Sequence, residues 1–375
     1  MNLNDSILLV NERVRAIKPY HLEPEPVSIK LNQNENPYDF PPDIKEEIAQ
    51  FCLKRPFNRY PNFVPDGLKA GLSAYTGVPA DGIIAGNGSN EMLLLLYIAL
   101  SGQGRDVILC QPTFTLYRLL AGGLGAVERT VFLTGELLFD VGALCKSASD
   151  FPQSLMILCS PNNPTGCFLS ENDVRAILAV HTGFLVLDQA YVEFGGFSAI
   201  PLLRNHPNLI ITRTFSKAFS GAGLRLGYML GTPDVIKEIS KIKLPYGINF
   251  FSEHAARVIL GRPDLVAGRV KELAARRDGL VSFLRTLPLD NVYNSAANFL
   301  LFRTRRKNGL FSFLKSRSVL VRDVSQYPML DNCLRVNAGS EEETAAFESA
   351  MKDFFTTGAA SQPPAGKDSP WQGKR

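Results

Sequence analysis

Apolar residues along this chain come in two rhythms. Short unbroken runs, DVILC (106–110), SLMILC (154–159), FLVLD (184–188), LIITRT (209–214) and GYMLG (227–231), leave little room for a polar face. Runs of this kind predict strands covered on both sides, as in a parallel sheet. Between them lie stretches with helical spacing: PDIKEEIAQFCLK (42–54), SNEMLLLLYIALS (89–101) and SENDVRAILAVH (170–181). In the last of these Ser170 is a candidate N-cap and Asp173 stands three residues on, as in a capping box. Strands alternating with helices predict an α/β architecture with a mostly parallel central sheet flanked by helices.

The rhythm changes near residue 256. RVILG (257–261) and LVAGRVKELAARRDGLVSFLRTL (265–287) form a long helical stretch. NFLLFRT (298–304), VLVRD (319–323) and CLRVNAG (333–339) then read as short strands, and EEETAAFESAMKDFF (341–355) as a closing helix. This predicts a smaller α+β domain. The expected division is an N-terminal arm with part of the small domain at 1–40, a large domain at 41–255 and the small domain at 256–357. Residues 358–375, rich in Gly, Pro, Ser and Ala and carrying the single tryptophan, Trp371, are expected to be disordered. No internal repeat recurs at a fixed period.

Composition narrows the classes. With 375 residues, 45 % hydrophobic and 20 % charged, the chain can bury a large core and reads as a globular enzyme. Its net charge of +4 is scattered. RTRRK (303–307), the densest basic run, reads as a loop and not as a nucleic-acid face. The six cysteines, 52, 110, 145, 159, 167 and 333, form no CxxC pair and lack a histidine at metal-ligand spacing, which suggests reduced thiols, no metal and a cytoplasmic setting. The N-terminus has no apolar core of a signal peptide. The apolar run MLLLLYIAL (92–100) is too short to span a bilayer, so no membrane association is expected.

Chemistry concentrates in TRTFSKAFSGAGLRLGY (212–228). Lys217 follows Thr214 and Ser216 and precedes Arg225. Hydroxyls and a guanidinium suit a phosphate, and a lysine among them suits imine formation with an aldehyde cofactor. Alone, the segment also fits a Ser/Gly-rich loop with a solvated lysine. Asp188 closes the apolar run FLVLD, which sets a carboxylate at a sheet edge where α/β proteins bind ligands. A helix cap or a metal ligand is the other reading of that acid. Tyr191 follows three residues later. In CSPNNPTG (159–166) a tight turn projects Asn163, though NPTG by itself signals only a turn. In AGNGSNEML (85–93) Ser89 and Asn90 sit at a helix start, an anion site if not an ordinary capped turn. Phe114 in CQPTFTLY (110–117) follows a strand and is placed either to stack on a ring or to fill the core.

Taken together and in this order, these segments resemble the fold-type I pyridoxal-phosphate (PLP) aminotransferases. IKLNQNENPYDFPPDI (29–44), NRYP (58–61), GNGSNE (86–91), SPNNPTG (160–166), DQAYVEF (188–194), RTFSKAFSGAGLRLGY (213–228), VLVRD (319–323) and CLRVNAG (333–339) bring the resemblance closest to the histidinol-phosphate aminotransferase family, over residues 12 to 355. The resemblance implies that Lys217 carries the cofactor and moves the substrate proton. It implies that Asp188 pairs the pyridine nitrogen while Asn163 and Tyr191 contact the ring oxygen. Phe114 stacks on the ring, and Ser89, Asn90, Thr214, Ser216 and Arg225 surround the phosphate. Tyr60 reaches the phosphate of a neighbouring subunit, so a homodimer is implied, and Tyr20, Asn36, Arg322 and Arg335 line the substrate side.

The implied reaction is transamination of L-histidinol phosphate with 2-oxoglutarate, a step of histidine biosynthesis. Two arginines facing one cavity suit a dianionic phosphate better than a single carboxylate, although a pair of surface ion-pair arginines is the plainer reading. Aromatic amino-acid transamination is the nearest alternative, and decarboxylation of threonine phosphate is one of a different class. Asn90, Phe114 and Gln189 stand where many of the family carry Asp, Tyr and Glu, and they leave the substrate preference open.

Overall fold

The computed structural model describes residues 3–17 and 26–356, so Tyr20 and the segment 358–375 with Trp371 lie outside the described residues. Helices α1 (Leu3–Leu8) and α2 (Glu12–Ala16) open the described chain, followed by strand β1 (Ile29–Lys30). Helices α3 (Pro42–Leu53) and α4 (Asp66–Thr76) lead into β2 (Ile83–Gly86), α5 (Ser89–Leu100), β3 (Asp106–Gln111), α6 (Leu116–Leu124) and β4 (Val127–Phe132). Next come α7 (Val141–Asp150), β5 (Leu155–Cys159), α8 (Glu171–Val180), β6 (Leu185–Asp188), β7 (Leu209–Thr214) and β8 (Gly227–Leu230). Ser170 and Asp173 do form a capping box at the start of α8.

These strands make one seven-stranded sheet in the order β2-β8-β7-β6-β5-β3-β4. Neighbours from β7 through β4 are parallel, whereas β8 runs antiparallel to both β7 and β2. The apolar run of β8 gave no hint of its direction. The connection from β7, residues 215–226, holds only a 3₁₀ turn at Ala222–Leu224 and no helix that could cross over the sheet. A parallel return needs a crossover of a dozen residues or more, usually helical. Two strands, β2 and β4, were not evident in the sequence. β2 is short, and β4 is a sheet-edge strand of largely exposed or half-buried residues.

One consequence decides the site. The carboxyl ends of β3, β5, β6 and β7 share one edge of the sheet. Because β8 is reversed, its first residue, Gly227, lies there too, opposite Gly86 at the end of β2. Chain segments far apart in sequence therefore emerge side by side.

Helices α9 (Pro233–Ser240), α10 (Phe250–Leu260) and α11 (Pro263–Leu284) follow, then β9 (Asn291–Val292), β10 (Phe299–Arg303), α12 (Lys307–Ser316), β11 (Val319–Leu320), β12 (Arg322–Asp323), β13 (Cys333–Asn337) and α13 (Glu341–Thr356). VLVRD, read as one strand, divides between two sheets. β11 pairs in parallel with β1, while β12 joins a four-stranded sheet in the order β12-β13-β10-β9. Val266 and Leu273 of α11 pack in the core on one face of the large sheet, and Leu280 and Leu284 pack in the core of the smaller lobe with Leu31, Val336 and Phe347. This 22-residue helix thus spans both lobes.

Candidate active site

At the shared edge the two lobes enclose a cavity of about 410 Å³. It gathers twelve residues singled out from the sequence: Lys217, Asp188, Tyr191, Asn163, Phe114, Ser89, Asn90, Thr214, Ser216, Arg225, Arg322 and Arg335.

Lys217 lies in the loop after β7, and its Nζ donates to the Gln33 carbonyl at 2.9 Å. Burial, then the positive charges of Arg335, Arg225 and Lys30, pull its pKa from 10.5 down to about 7, against the opposing pull of Glu35. A buried ammonium facing two guanidinium groups is disfavoured, so near neutral pH much of this amine is free of its proton.

Asp188 ends β6 and is only 3 % exposed. Tyr117 donates to its Oδ2 at 2.6 Å. Its Oδ1 is buried and has no hydrogen-bond partner among the described residues. A bare buried carboxylate oxygen is costly and calls for a donor. Burial pushes the Asp188 pKa up, and the hydrogen bond from Tyr117 opposes that rise. A protonated pyridine nitrogen is a donor of the right kind for Oδ1, so this residue fits PLP. Tyr191 receives a hydrogen bond from Asn34 Nδ2 at 3.1 Å, which leaves its own hydroxyl proton to donate. Burial raises its pKa, so it stays a phenol at neutral pH. Asn163 Oδ1 accepts from Arg335 Nη1.

A second corner is built for an anion. Helix α5 starts after Gly88, at φ 83°, and no side chain caps its N-terminus. Open N–H groups and the helix dipole favour negative charge there. A Cβ at Gly227 would lie 2.2 Å from the Ser89 nitrogen, so only glycine lets β8 pass this close to the turn. Arg225, in the left-handed region at φ 52°, donates from Nη1 to Ser216 Oγ at 3.3 Å, and Thr214 Oγ1 donates to the same Ser216 hydroxyl at 3.0 Å. Guanidinium, hydroxyls and helix N–H groups face one space, a donor set that fits the cofactor's phosphate.

The small lobe supplies the opposite wall. Arg322 on β12 stands directly across from Arg335 on β13. Like charges at facing positions of an antiparallel pair are destabilising, and an anion bound between them would relieve the repulsion. Arg335 is nearly buried and is held by the Asn32 carbonyl at 2.7 Å and by Asn163, with Phe299 beneath its guanidinium.

Tyr60 and Asn36 do not line the cavity of their own chain. Tyr60 is 82 % exposed and stacks on Tyr246, away from the cavity of its own chain. Asn36 does not line this cavity. Its Nδ2 donates to the Ala218 carbonyl of the Lys217 loop at 3.3 Å, while its Oδ1 accepts from the Tyr38 backbone at 3.0 Å within its own turn. Tyr20 is outside the described residues. Gln189 faces away from the cavity, toward the Phe197 carbonyl and Arg213.

Tyr117, Asn32, Gln33, Asn34 and Tyr327 also line the cavity, without having stood out in the sequence. Tyr117 had a signal, because it lies three residues after Phe114, where an incipient helix sets both on one face. The asparagines lay within a quoted motif but without a pattern to rank them. Nothing local marked Tyr327. Among the described residues no cluster of His, Cys, Asp and Glu suits a metal ion, and no helix is long and apolar enough to cross a membrane.

The chain matches the family described as aminotransferase class I and II over residues 26–350. It is 37 % identical over 350 residues to the histidinol-phosphate aminotransferase of Chlorobium phaeovibrioides, covering 92 % of this chain and 97 % of that one. It is 36 % identical over 337 residues to the enzyme of the same name from Chlorobaculum tepidum, covering 89 % and 97 %. Its fold is that of the histidinol-phosphate aminotransferase of Sinorhizobium meliloti in complex with pyridoxal-5'-phosphate, with a TM-score of 0.83 at 22 % identity over 93 % of this chain and 98 % of that one. L-threonine-O-3-phosphate decarboxylase from Porphyromonas gingivalis shares it too, with a TM-score of 0.75 at 22 % identity over 87 % and 99 %.

Proposed function

The chain belongs to the class I and II aminotransferases and is a PLP-dependent enzyme, and on that premise we propose that it moves the amino group of L-histidinol phosphate to 2-oxoglutarate, giving imidazole acetol phosphate and glutamate. Bound PLP supplies an electrophilic carbon for the amino group and an electron-poor ring that accepts the electrons of the broken C–H bond.

The residues around it have separable tasks. Lys217, whose amine is substantially neutral near pH 7, would take the proton from the substrate α-carbon at Nζ and pass it on to the bound cofactor. Asp188 holds a proton on the ring nitrogen through Oδ1, and Tyr117 fixes which oxygen that is. Tyr191 donates toward the ring oxygen, with Asn163 beside it, and Phe114 covers the ring face. Ser89, Asn90, Thr214, Ser216 and Arg225 hold the phosphate. Small-molecule substrates then meet Arg322 and Arg335.

The cross-strand pairing of Arg322 with Arg335, in the same cavity as Lys217, carries the substrate reading. One wall must answer the phosphate of one donor and the carboxylates of the other. A paired guanidinium site answers both. We assign the exposed Tyr60, Phe63 and Tyr246 cluster to a homodimer contact through which Tyr60 reaches the partner's phosphate corner. Free cysteines throughout agree with a cytoplasmic setting.

Half-reaction spectroscopy of the PLP-loaded protein tests the assignment. Histidinol phosphate and glutamate should each discharge the cofactor band, with histidinol phosphate preferred over tyrosine and phenylalanine. A preference for tyrosine or phenylalanine would make it an aromatic aminotransferase. Release of CO₂ from threonine phosphate without an oxo-acid acceptor would make it a decarboxylase.

A further inference from the structure

Thr115 Oγ1 donates to the Tyr327 hydroxyl at 2.8 Å, which ties together residues 212 positions apart. Thr115 stands in the large-lobe turn between β3 and α6, next to Phe114. Tyr327 stands in the small-lobe turn between β12 and β13 and lines the cavity with Arg322 and Val324. Its half-buried ring packs on the apolar core beneath.

The turn that carries Tyr327 is pinned from behind. Lys307 Nζ donates to Asp323 at 2.7 Å and to Ser325 Oγ at 3.0 Å, and Arg303 donates to the Met329 carbonyl at 2.8 Å. The Tyr327 N–H donates to the Val324 carbonyl at 3.1 Å. Fixed at its backbone and at its hydroxyl, the ring has no rotamer freedom left to lose when a ligand meets it.

Resting on the substrate reading above, we propose that Tyr327 is a specificity-determining residue: its ring, latched across the lobe boundary by Thr115, is the wall against which the aromatic ring of the amino donor packs. The two donors differ in this respect. Glutamate has no ring, and its charges are met by guanidinium groups. Histidinol phosphate carries a flat imidazole, and contacts between aromatic rings are worth more than the area they bury. Tyr327 therefore separates the two donors by their rings, whereas the arginines answer to their charges.

The measurement is the single-turnover rate over binding constant for histidinol phosphate and for glutamate, on PLP-loaded variants. Tyr327→Ala should lose at least about tenfold more with histidinol phosphate than with glutamate, because it removes both the ring and its apolar contact. Tyr327→Phe keeps the ring but not the latch, and should show a smaller split of about threefold. Thr115→Val should reproduce the Tyr327→Phe result. Equal losses with both donors in all three variants would reduce Tyr327 to a brace between lobes and overturn the proposal, as would unchanged kinetics. Melting temperature and PLP affinity identify a variant that merely misfolds, and the two conservative variants keep the test open if Tyr327→Ala does. Should the wild type prefer tyrosine or phenylalanine, the substrate reading fails on its own. The same variants are then compared with that ring-bearing donor against glutamate, where a split sustains the role of Tyr327 and equal losses end it.

Discussion

The floor and the far wall of the cavity are built by different means. The floor belongs to the large sheet. Lys217, Asp188 and Asn163 follow directly on β7, β6 and β5, whose parallel pairing sets their spacing through buried backbone hydrogen bonds. Each sits in a contiguous motif whose local turn chemistry orients it. The far wall belongs to the small lobe. Arg322, Arg335 and Tyr327 come from two short strands and a turn, positioned by register and by contacts to the other lobe. The first arrangement is rigid and suits bond-making. The second suits discrimination, with Arg335 its one link to the floor, through the Lys217 pKa and its bond to Asn163.

If that division is right, damage to the floor should abolish turnover with every donor alike. The largest effect should come from Lys217→Ala, at least about a thousandfold in turnover with both histidinol phosphate and glutamate, measured by stopped-flow absorbance. Borohydride reduction should fix the cofactor to wild-type protein at Lys217 and leave it removable from the variant. Normal turnover in Lys217→Ala would sink the assignment.

Asp188→Asn removes the carboxylate oxygen that faces the ring nitrogen and should lower turnover by about 10²–10³-fold for both donors, with the fold intact by circular dichroism. A change confined to KM would make Asp188 a binding group.

The wall should behave otherwise. Arg322→Ala should cost about 2–5 kcal/mol with histidinol phosphate and distinctly less with glutamate, whereas Arg335→Ala should damage both half-reactions. Equal losses for the two donors in Arg322→Ala would erase the contrast between wall and floor.

Tyr117→Phe tests the floor more finely, at about 1.5–3 kcal/mol in turnover, because a hydrogen bond to a charged group is removed. That bond favours the carboxylate form, so its loss raises the Asp188 pKa further. Asp188 then takes up a proton at a higher pH as the solution is acidified, and the acid limb of the activity profile should move upward. An unmoved acid limb would leave Tyr117 a packing residue.

A last test is read on stability and not on turnover, in the cofactor-free protein. Lys217 has a folded pKa near 7 against 10.5 when unconstrained. Between these values the unfolded chain binds the proton and the folded chain does not, so stability rises with pH across that window. Below about pH 7 both states are protonated and the burial of the charge is felt in full. Denaturant midpoints of wild type and Lys217→Met should therefore converge as pH rises from 7 to 10.5, and parallel curves would refute the lowered pKa.

The amino-acid sequence by itself determined the alternation of strand and helix, the capping box of α8 and the groups of the floor. The causes of those features lie within a few residues: apolar runs, caps, glycine turns and acids at strand ends. It could not reveal that β8 runs backward, that VLVRD divides between two sheets, or that Arg322 faces Arg335. Strand direction follows from the length and packing of a connection, and register from pairing with residues elsewhere in the chain. Tyr117 beneath Asp188, Asn34 on Tyr191 and Tyr327 on Thr115 belong to the same class. Each is an ordinary core or loop residue until folding sets its hydroxyl or amide beside a partner from 71 to 212 positions away, and only packing in three dimensions decides that approach.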